Sequence, residues 1–517
     1  MKTLIKLVSI IGITFFCACD DFLTRNPIDQ IGEGNFYKNT EEVNKGVIAC
    51  YSGLLPVVSD EWFLTETRSD NTRHSAGNSS TENSKSIYNL DIFRVATTHL
   101  RVKSYWEAVY RNIRNCNKVL ETLDAVETPE LKKQYEGEAL FIRSLHYFTL
   151  VQLFGPVFLT TETMTVDESL QFERSSIATV YQQIVDDLKK TVNPENPLLP
   201  TSYSDADKGR VDIWAAKALL AKVYLTLKRY GEAYSLLLDV YRNSGYGNPS
   251  LSYADIFDIS KEMNKEILFA VRFTAGAYGI GSPFASYFGP SGATSHIIVG
   301  GGDGFNCPTE DLLASYEHQE GSSEWDKRRL ASFDETWRQV TGEVVYVAWM
   351  KKFFCQVSKK YDGQNDWPVV RFADVTLMLG EVENELNGTS AGLPYLNEIR
   401  RRAGLRHLNE QDIPTKTAFR LAMENERRWE FAGENQRLFD LIRTDRAIPV
   451  LNRHFATETI RTHSNGSSEL FYMNPDGSRY PDVSLINHTT IEEWQLYLPI
   501  PFSVLAVAPN ASQNYGY

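Results

Sequence analysis

The stretch 209–245, GRVDIWAAKALLAKVYLTLKRYGEAYSLLLDVYRNSG, constrains the fold more than any other part of the chain. It reads as two helices and a tight turn. The first, over about 211–227, is apolar almost all round, so it must be enclosed by other elements. The second, over about 231–243, places Ala233, Leu236, Leu237 and Val240 at i, i+3, i+4 and i+7, a single helical face. Small Ala221 stands twelve residues before small Ala233, where two antiparallel helices can cross closely.

Leu220, Tyr224 and Tyr230 complete the positions of a tetratricopeptide-type unit, and such units bury their faces only by stacking. Further pairs should therefore exist. Gly380 and Gly392 repeat the twelve-residue offset within helical patterns over 371–388 and 392–402, and 415–431 and 435–443 form another pair. Earlier helices are expected at 40–55, with Thr40 as N-cap and Val43, Val47, Ile48 and Tyr51 on one face, and at 105–123, 131–154 and 176–190. The expected fold class is mainly α: a scaffold of about four tetratricopeptide-like helical hairpins. A large loop-rich insertion over 246–367 interrupts it, with short strands near 266–273 and 342–354. The rest divides into a leader (1–18), an anchor and tether (19–39), an N-terminal helical part (40–245) with a long polar loop at about 59–100, C-terminal helical pairs (368–445) and an irregular end (446–517). Residues 40–517 are read as one folded unit.

The N-terminus carries Lys2 and Lys6 before a ten-residue apolar run, too short to span a bilayer. The run ends in Phe16-Cys17-Ala18-Cys19, which resembles a bacterial lipoprotein signal with Cys19 as the lipidated residue. An ordinary secretory signal is the alternative, and both export the chain. Removing the first eighteen residues takes away two lysines and moves the formal charge from −13 to −15. That balance argues against a nucleic-acid partner, which wants basic stripes. Cys50, Cys116, Cys307 and Cys355 are too widely spaced for a disulfide framework or a metal motif, and buried free thiols are expected.

An ordered set of segments then identifies a family: GEALFIRSLHYFTLVQLFGPV, PVVRFADVTLMLGEVENELNG, LPYLNEIRRRAGL, ENERRWEFAGENQRLFDLIR, LPIP and the terminal QNYGY. Together they resemble the SusD/RagB family, glycan-binding surface lipoproteins of Bacteroidetes. Gly380 stands where an Ala is usual, and Phe-Ala-Gly-Glu replaces Phe-Glu-Gly. The resemblance implies a helical scaffold seated on a SusC-like TonB-dependent outer-membrane transporter, a lipid anchor in the outer membrane through Cys19, and capture of an oligo- or polysaccharide without catalysis. Some relatives present peptides, so peptide cargo is the second reading. No cofactor is expected, and a loop-stabilising calcium is left open.

The charged run Glu424, Glu426, Arg427, Arg428, Glu430, Glu434, Arg437, Asp440, Arg443 and Asp445 reads as a network of ion pairs at i, i+3 and i+4 that bridges scaffold helices. His146 lies inside an apolar helix, the setting of a core histidine. No HExxH, G-x-S-x-G or phosphate-loop pattern is present, and the glycine run 300–304 reads as a flexible turn. A glycoside hydrolase would need two carboxylates set across a bond; Asp303, Glu310, Glu317 and Asp326 are the candidates for that remote alternative.

Loop aromatics carry the stronger signal. A pyranose packs its C–H face on a flat ring while its hydroxyls bond to polar side chains. Tyr, Phe and Trp make up 12% of the chain. One loop region offers Trp62, Asp70, Asn71, Arg73 and Tyr88; the other offers Tyr278, Tyr287, Phe288, Trp325, Trp337 and Trp349. Polar neighbours suggest that Trp62, Trp325 and Trp337 are exposed. Trp106, Trp214, Trp367 and Trp429 are assigned to the core.

Overall fold

The computed structural model describes residues 36–74, 82–248, 250–290, 297–340, 343–457, 459–462, 468–469, 483–485 and 490–517. Cys19 and the leader lie outside them. The chain first forms α1 (Thr40–Ser52), α2 (Leu54–Leu64), α3 (Glu82–Asp91), α4 (Leu100–Glu121), α5 (Pro129–Phe154) and α6 (Ile177–Thr191). It continues through α7 (Ile213–Thr226) and α8 (Tyr230–Asn243). After the insertion come α9 (Phe372–Asn387), α10 (Thr389–Ala403), α11 (Lys416–Glu430), α12 (Arg437–Arg443) and α13 (Ala447–Thr457). The fold is mainly α, as expected. Its helices stack in sequence: α4 on α5, α5 on α6, α7 on α8, α8 on α9 and α9 on α10.

Each pair follows from its sequence. Asp212 caps α7 by accepting the Ala215 N–H at 2.9 Å, which satisfies one of the four unpaired donors of a helix start. Ala233, Leu237 and Val240 of α8 are buried and Leu236 is half-buried, so the expected face is the packed one. At the start of the chain Asn39, not Thr40, is the N-cap, accepting the Glu42 N–H at 3.0 Å. Ile48 is 45% exposed, outside the buried stripe of Val43, Val47 and Cys50.

The offset between Gly380 and Gly392 has a steric cause. A Cβ built on Gly392 falls 2.6 Å from the Gly380 carbonyl oxygen and 2.6 Å from the Phe419 ring of α11. The backbones of α9 and α10 therefore touch where no side chain fits. Gly392→Ala is expected to lower stability by about 1–3 kcal/mol through overpacking, although alanine is the better helix former. Urea denaturation measures this, and a stabilised variant would show that the helices can separate freely.

The stretch 59–100, expected as a loop, is largely ordered. Helix α2 runs through Pro56 to Leu64, a 3₁₀ turn follows at Glu66–Arg68, and α3 covers Glu82–Asp91. Strand β1 (Thr72–Arg73) comes between them. The insertion then supplies β2 (Ile267–Val271), β3 (Cys307–Pro308), β4 (Phe333–Val340), β5 (Glu343–Met350) and β6 (Trp367–Arg371). Pairing of β1 with β3 ties the two regions together, and β2 with β6 closes the insertion at its base. The strands β4 and β5 form a hairpin whose first member was not foreseen. Trp106, Trp214, Trp367 and Trp429 are all buried.

The charged run does bridge elements, but mainly through remote partners, and Arg443 with Asp440 at 2.9 Å keeps the expected spacing. Glu426, Arg427, Arg428 and Glu430 are buried, and their described partners lie on other elements. Glu426 meets Arg328 at 2.6 Å and Arg400 at 3.1 Å. Arg427 meets Asp374 and Asp440, both at 2.8 Å. Arg428 and Arg437 converge on Asp70, which holds that carboxyl far below its ordinary range against the opposing effect of burial. Buried charges persist only when paired in this way.

Candidate functional site

The two loop regions meet in an aromatic and polar cluster whose outer members, Tyr287 and Tyr361, reach the surface. Helix α2 brings Asp60, Trp62 and Phe63. The first turn of α4 brings Arg101, whose Nη1 lies 3.2 Å from Asp60 Oδ1 while its guanidinium sits 3.6 Å from the Phe63 ring centroid. A short helix, Phe284–Phe288, supplies Tyr287. The Tyr287 ring centroid is 5.9 Å from those of Trp62, Phe63 and Phe305, and 5.4 Å from that of Tyr361.

The glycine run behind this surface is ordered by main-chain hydrogen bonds, contrary to its reading as a flexible turn. Asp303 N–H donates to Ser286 O at 2.9 Å, Gly304 N–H to Gly289 O at 2.8 Å, and Phe305 N–H to Tyr287 O at 2.9 Å. A Cβ on Gly302 falls 2.2 Å from the Gly289 carbonyl, so only glycine permits that approach. The run places Asp303 beneath Tyr361. Asp303 Oδ1 is 2.7 Å from Lys360 Nζ, and Oδ2 accepts the Tyr361 hydroxyl at 3.0 Å.

Tyr361 adopts φ +63°, a region that bulky residues rarely enter. Its N–H donates to Ser286 Oγ at 2.9 Å, which helps to hold the conformation. The ring is left 43% exposed. Next to it, Asp362 accepts the N–H groups of Gly276 and Ala277 at 3.0 and 2.8 Å. These bonds fix the loop bearing Tyr278, which is 75% exposed. Burial pushes the Tyr287 phenol up to about 12, so it remains protonated at any physiological pH. Burial opposes charge on Lys360, yet the hydrogen bond from its ammonium to Asp303 raises its pKa above the ordinary value.

The sequence-based candidates fall into three groups. Tyr278, Tyr287 and the half-buried Tyr88 retain accessible surface. Trp62, Asp70, Asn71, Arg73, Phe288 and Trp349 are buried and have no surface to offer a ligand. Trp62 is enclosed by Tyr287, Phe288 and Phe305, so its expected exposure does not hold. Asp70 and Asn71 serve Arg428 and Arg437, and Arg73 lies 3.5 Å from Asp91. Trp325 is half-buried, with the His318 ring stacked 3.9 Å from its centroid and the Arg329 guanidinium at 3.9 Å. Two groups that close cannot share one face, so both faces are covered and neither is open to a sugar. The Trp337 side chain lies outside the described residues.

Among the proposed hydrolytic carboxylates, Asp326 is sealed from solvent against Arg328. Glu317 pairs with Arg400 at 2.7 Å, and Asp303 pairs with Lys360. Glu310 opens a short helix, Glu310–Ser315, beside them in the chain. Among the described residues no three His, Cys, Asp or Glu side chains gather as a metal site requires. Sequence reasoning missed Tyr361, Lys360, Asp60 and Arg101. The Asp362-Gly363 pair signals a turn, but nothing local shows that the turn faces Tyr287.

Comparison with known proteins adds the remaining finding. Residues 338–517 match the SusD family, and residues 24–225 match the family described as starch-binding associating with outer membrane. A SusD-like protein P25 from Formosa agariphila is 26% identical, covering 99% of both chains. Among solved structures, a laminarin-binding SusD-like protein superposes with TM-score 0.72 at 24% identity, covering 93% of this chain and 100% of its own. Surface glycan-binding protein A from Bacteroides thetaiotaomicron, in complex with laminarihexaose, gives 0.71 at 20% identity over 92% and 99%. With residues 24–225 and 338–517 matched in order by two SusD-type families, and the same fold over more than nine-tenths of the chain, the chain belongs to the SusD/RagB family.

Proposed function

We propose that the protein is a cell-surface, lipid-anchored glycan-binding protein that captures an oligo- or polysaccharide and delivers it, without catalysis, to a SusC-like TonB-dependent transporter in the outer membrane. The observation that carries this reading is the Tyr287 and Tyr361 surface, in which rings and hydrogen-bonding groups stand side by side, with the exposed Tyr278 on the adjoining loop that Asp362 holds. Rings with two rotatable side-chain bonds lose little entropy on binding, and Asp303, Lys360 and Tyr361 present donors and acceptors for hydroxyls. Laminarin and laminarihexaose, ligands of the related proteins, are the first probes to try. Anchoring is supported by the lipoprotein-type signal at Cys19 and by the outer-membrane association in the description of the matching family.

The test uses the chain from residue 20 without lipid, titrated by calorimetry against laminarihexaose and a panel of polysaccharides. Binding with recovery of intact sugar is expected. Tyr361→Ala and Tyr278→Ala should each weaken it about tenfold, about 1.4 kcal/mol, with an unchanged melting temperature. Shortened sugar products would refute the non-catalytic reading. Binding of peptides but no glycan would transfer the cargo to the second class. Co-purification of the lipidated chain with its transporter checks the delivery step.

A further inference from the structure

We infer that the Tyr287–Tyr361 surface selects uncharged glycans, and that Asp303 sets this preference by occupying Lys360. The inference rests on the glycan-binding reading and names the class of sugar.

The two cations nearest the tyrosines, Lys360 and Arg101, are each held by a carboxylate. Lys360 Nζ is 2.7 Å from Asp303 Oδ1, and the second carboxylate oxygen is taken by the Tyr361 hydroxyl. Arg101 is held 3.2 Å from Asp60 and lies flat on Phe63. Two bases are thus held by two acids, while Asp362 is taken by main-chain N–H groups and Lys359 is a solvent-exposed cation.

An anionic sugar that accepted from Lys360 in place would set a second negative group beside Asp303 on a single ammonium, and otherwise it would have to draw Lys360 from Asp303. The latter would strip the charge partner from a carboxylate with only 15% of its side chain exposed, and unpairing a largely buried charge is strongly unfavourable. The formal charge of −13 on the whole chain adds a salt-screened repulsion toward polyanions. A neutral pyranose meets no such obstacle. Its hydroxyls donate to the remaining lone pairs of Asp303 and accept from Lys360, leaving the ion pair intact.

The experiment compares neutral hexasaccharides (laminarihexaose, cellohexaose, maltohexaose and mannohexaose) with hexagalacturonate, each titrated at low and at physiological salt. The wild type should bind at least one neutral hexasaccharide, and hexagalacturonate at least about tenfold more weakly. Asp303→Asn should gain at least about tenfold in hexagalacturonate affinity, and the gain should fade with salt. The double variant Asp303→Asn/Lys360→Gln should lose that gain, which separates release of Lys360 from any general loosening. Melting curves confirm that each variant is folded. Wild-type binding of hexagalacturonate as tightly as the best neutral sugar would overturn the proposal while leaving glycan capture intact. An Asp303→Asn variant with an unchanged ratio would do the same. Failure of every hexasaccharide to bind, or neutral binding that survives Tyr361→Ala, would overturn the glycan reading of this surface and the proposal with it.

Discussion

Arg371→Ala will destabilise the protein by about 3–5 kcal/mol, the range found when one member of a buried ion pair is removed. Arg371 is 1% exposed and stands where β6 enters α9. Its Nη1 is 3.0 Å from Glu266 Oε1 and 2.9 Å from Glu430 Oε1. Its Nε and Nη2 form a fork with Glu434 at 2.7 and 2.8 Å, and Nη2 also donates to the Glu430 carbonyl at 3.1 Å. Glu266 belongs to the insertion, just before β2. Glu430 ends α11, and Glu434 lies in the turn that follows. One guanidinium therefore joins the insertion to two parts of the scaffold.

Arg402 and Lys352 cannot replace it. Arg402 already serves Glu266 at 3.2 Å and Glu430 at 2.6 Å. Burial presses the Lys352 ammonium down to about 8 even beside Glu434. Without Arg371, three carboxylates would share fewer cations in a region closed to water. Arg371→Lys should cost less than alanine but still about 1.5–3 kcal/mol, because an ammonium cannot form the fork. Adding Glu434→Gln to Arg371→Ala should cost clearly less than the sum of the single changes, since a neutral amide needs no cation. Chemical denaturation of the five chains (wild type, Arg371→Ala, Arg371→Lys, Glu434→Gln and the double variant) decides the matter; a loss below about 1 kcal/mol for Arg371→Ala would mean that water enters and solvates the acids.

This network also shows where the sequence ceases to be legible. The 209–245 hairpin could be read because its logic is local: a capping Asp212, a periodic apolar face and small residues twelve apart. The charged helix α11 looked local too, and the spacing of Glu426, Arg427 and Glu430 fits partners at i+3 and i+4. Their true partners are remote, as when Arg428 Nε donates to Asn71 Oδ1 at 2.9 Å across 357 positions. Composition cannot reveal such pairing. The same blindness made 59–100 look like a solvated loop, although Asp70, Asn71 and Arg73 are polar residues satisfied inside the protein. Trp62 looked exposed beside Asp60 and Glu61, yet neighbours on a helix face different directions. Tyr278 and Tyr287 were readable as ring-bearing positions in a loop-rich insertion. Tyr361 was not, because its role depends on a backbone turn and on Asp303, 58 positions away.

Acid will expose a second buried dependence, on His146. This residue of α5 is 2% exposed, and its Nε2 lies 2.8 Å from Asn112 Nδ2. The same Asn112 nitrogen donates to the Cys50 carbonyl at 2.9 Å, so its amide group faces His146 as a donor. Burial lowers the imidazole from 6.5 to about 3, and protonating Nε2 would set donor against donor. The unfolded chain therefore takes up a proton near pH 6.5 that the folded chain refuses until about pH 3. Stability from this group is complete above pH 6.5 and is lost as pH falls through that window, roughly 4–5 kcal/mol in all at 1.36 kcal/mol per pH unit.

Other groups bend the curve the opposite way. Burial raises Glu61 to about 7 and Asp212 to about 6, so these carboxyls protonate in the folded state first and favour it as pH falls toward their ordinary values. The raw profile mixes both signs, and the difference between wild type and His146→Gln isolates the imidazole. Glutamine can accept the Asn112 N–H through its amide oxygen and does not titrate. The variant should be the less stable chain at about pH 7.5, by about 1–2 kcal/mol for the imperfect fit. Between there and about pH 4.5 the wild type should lose roughly 2–3 kcal/mol relative to it, so that the order of stabilities reverses. A difference that stays constant over that range would show that the folded chain accepts the proton, which requires Asn112 to turn its oxygen toward His146 and abandon Cys50.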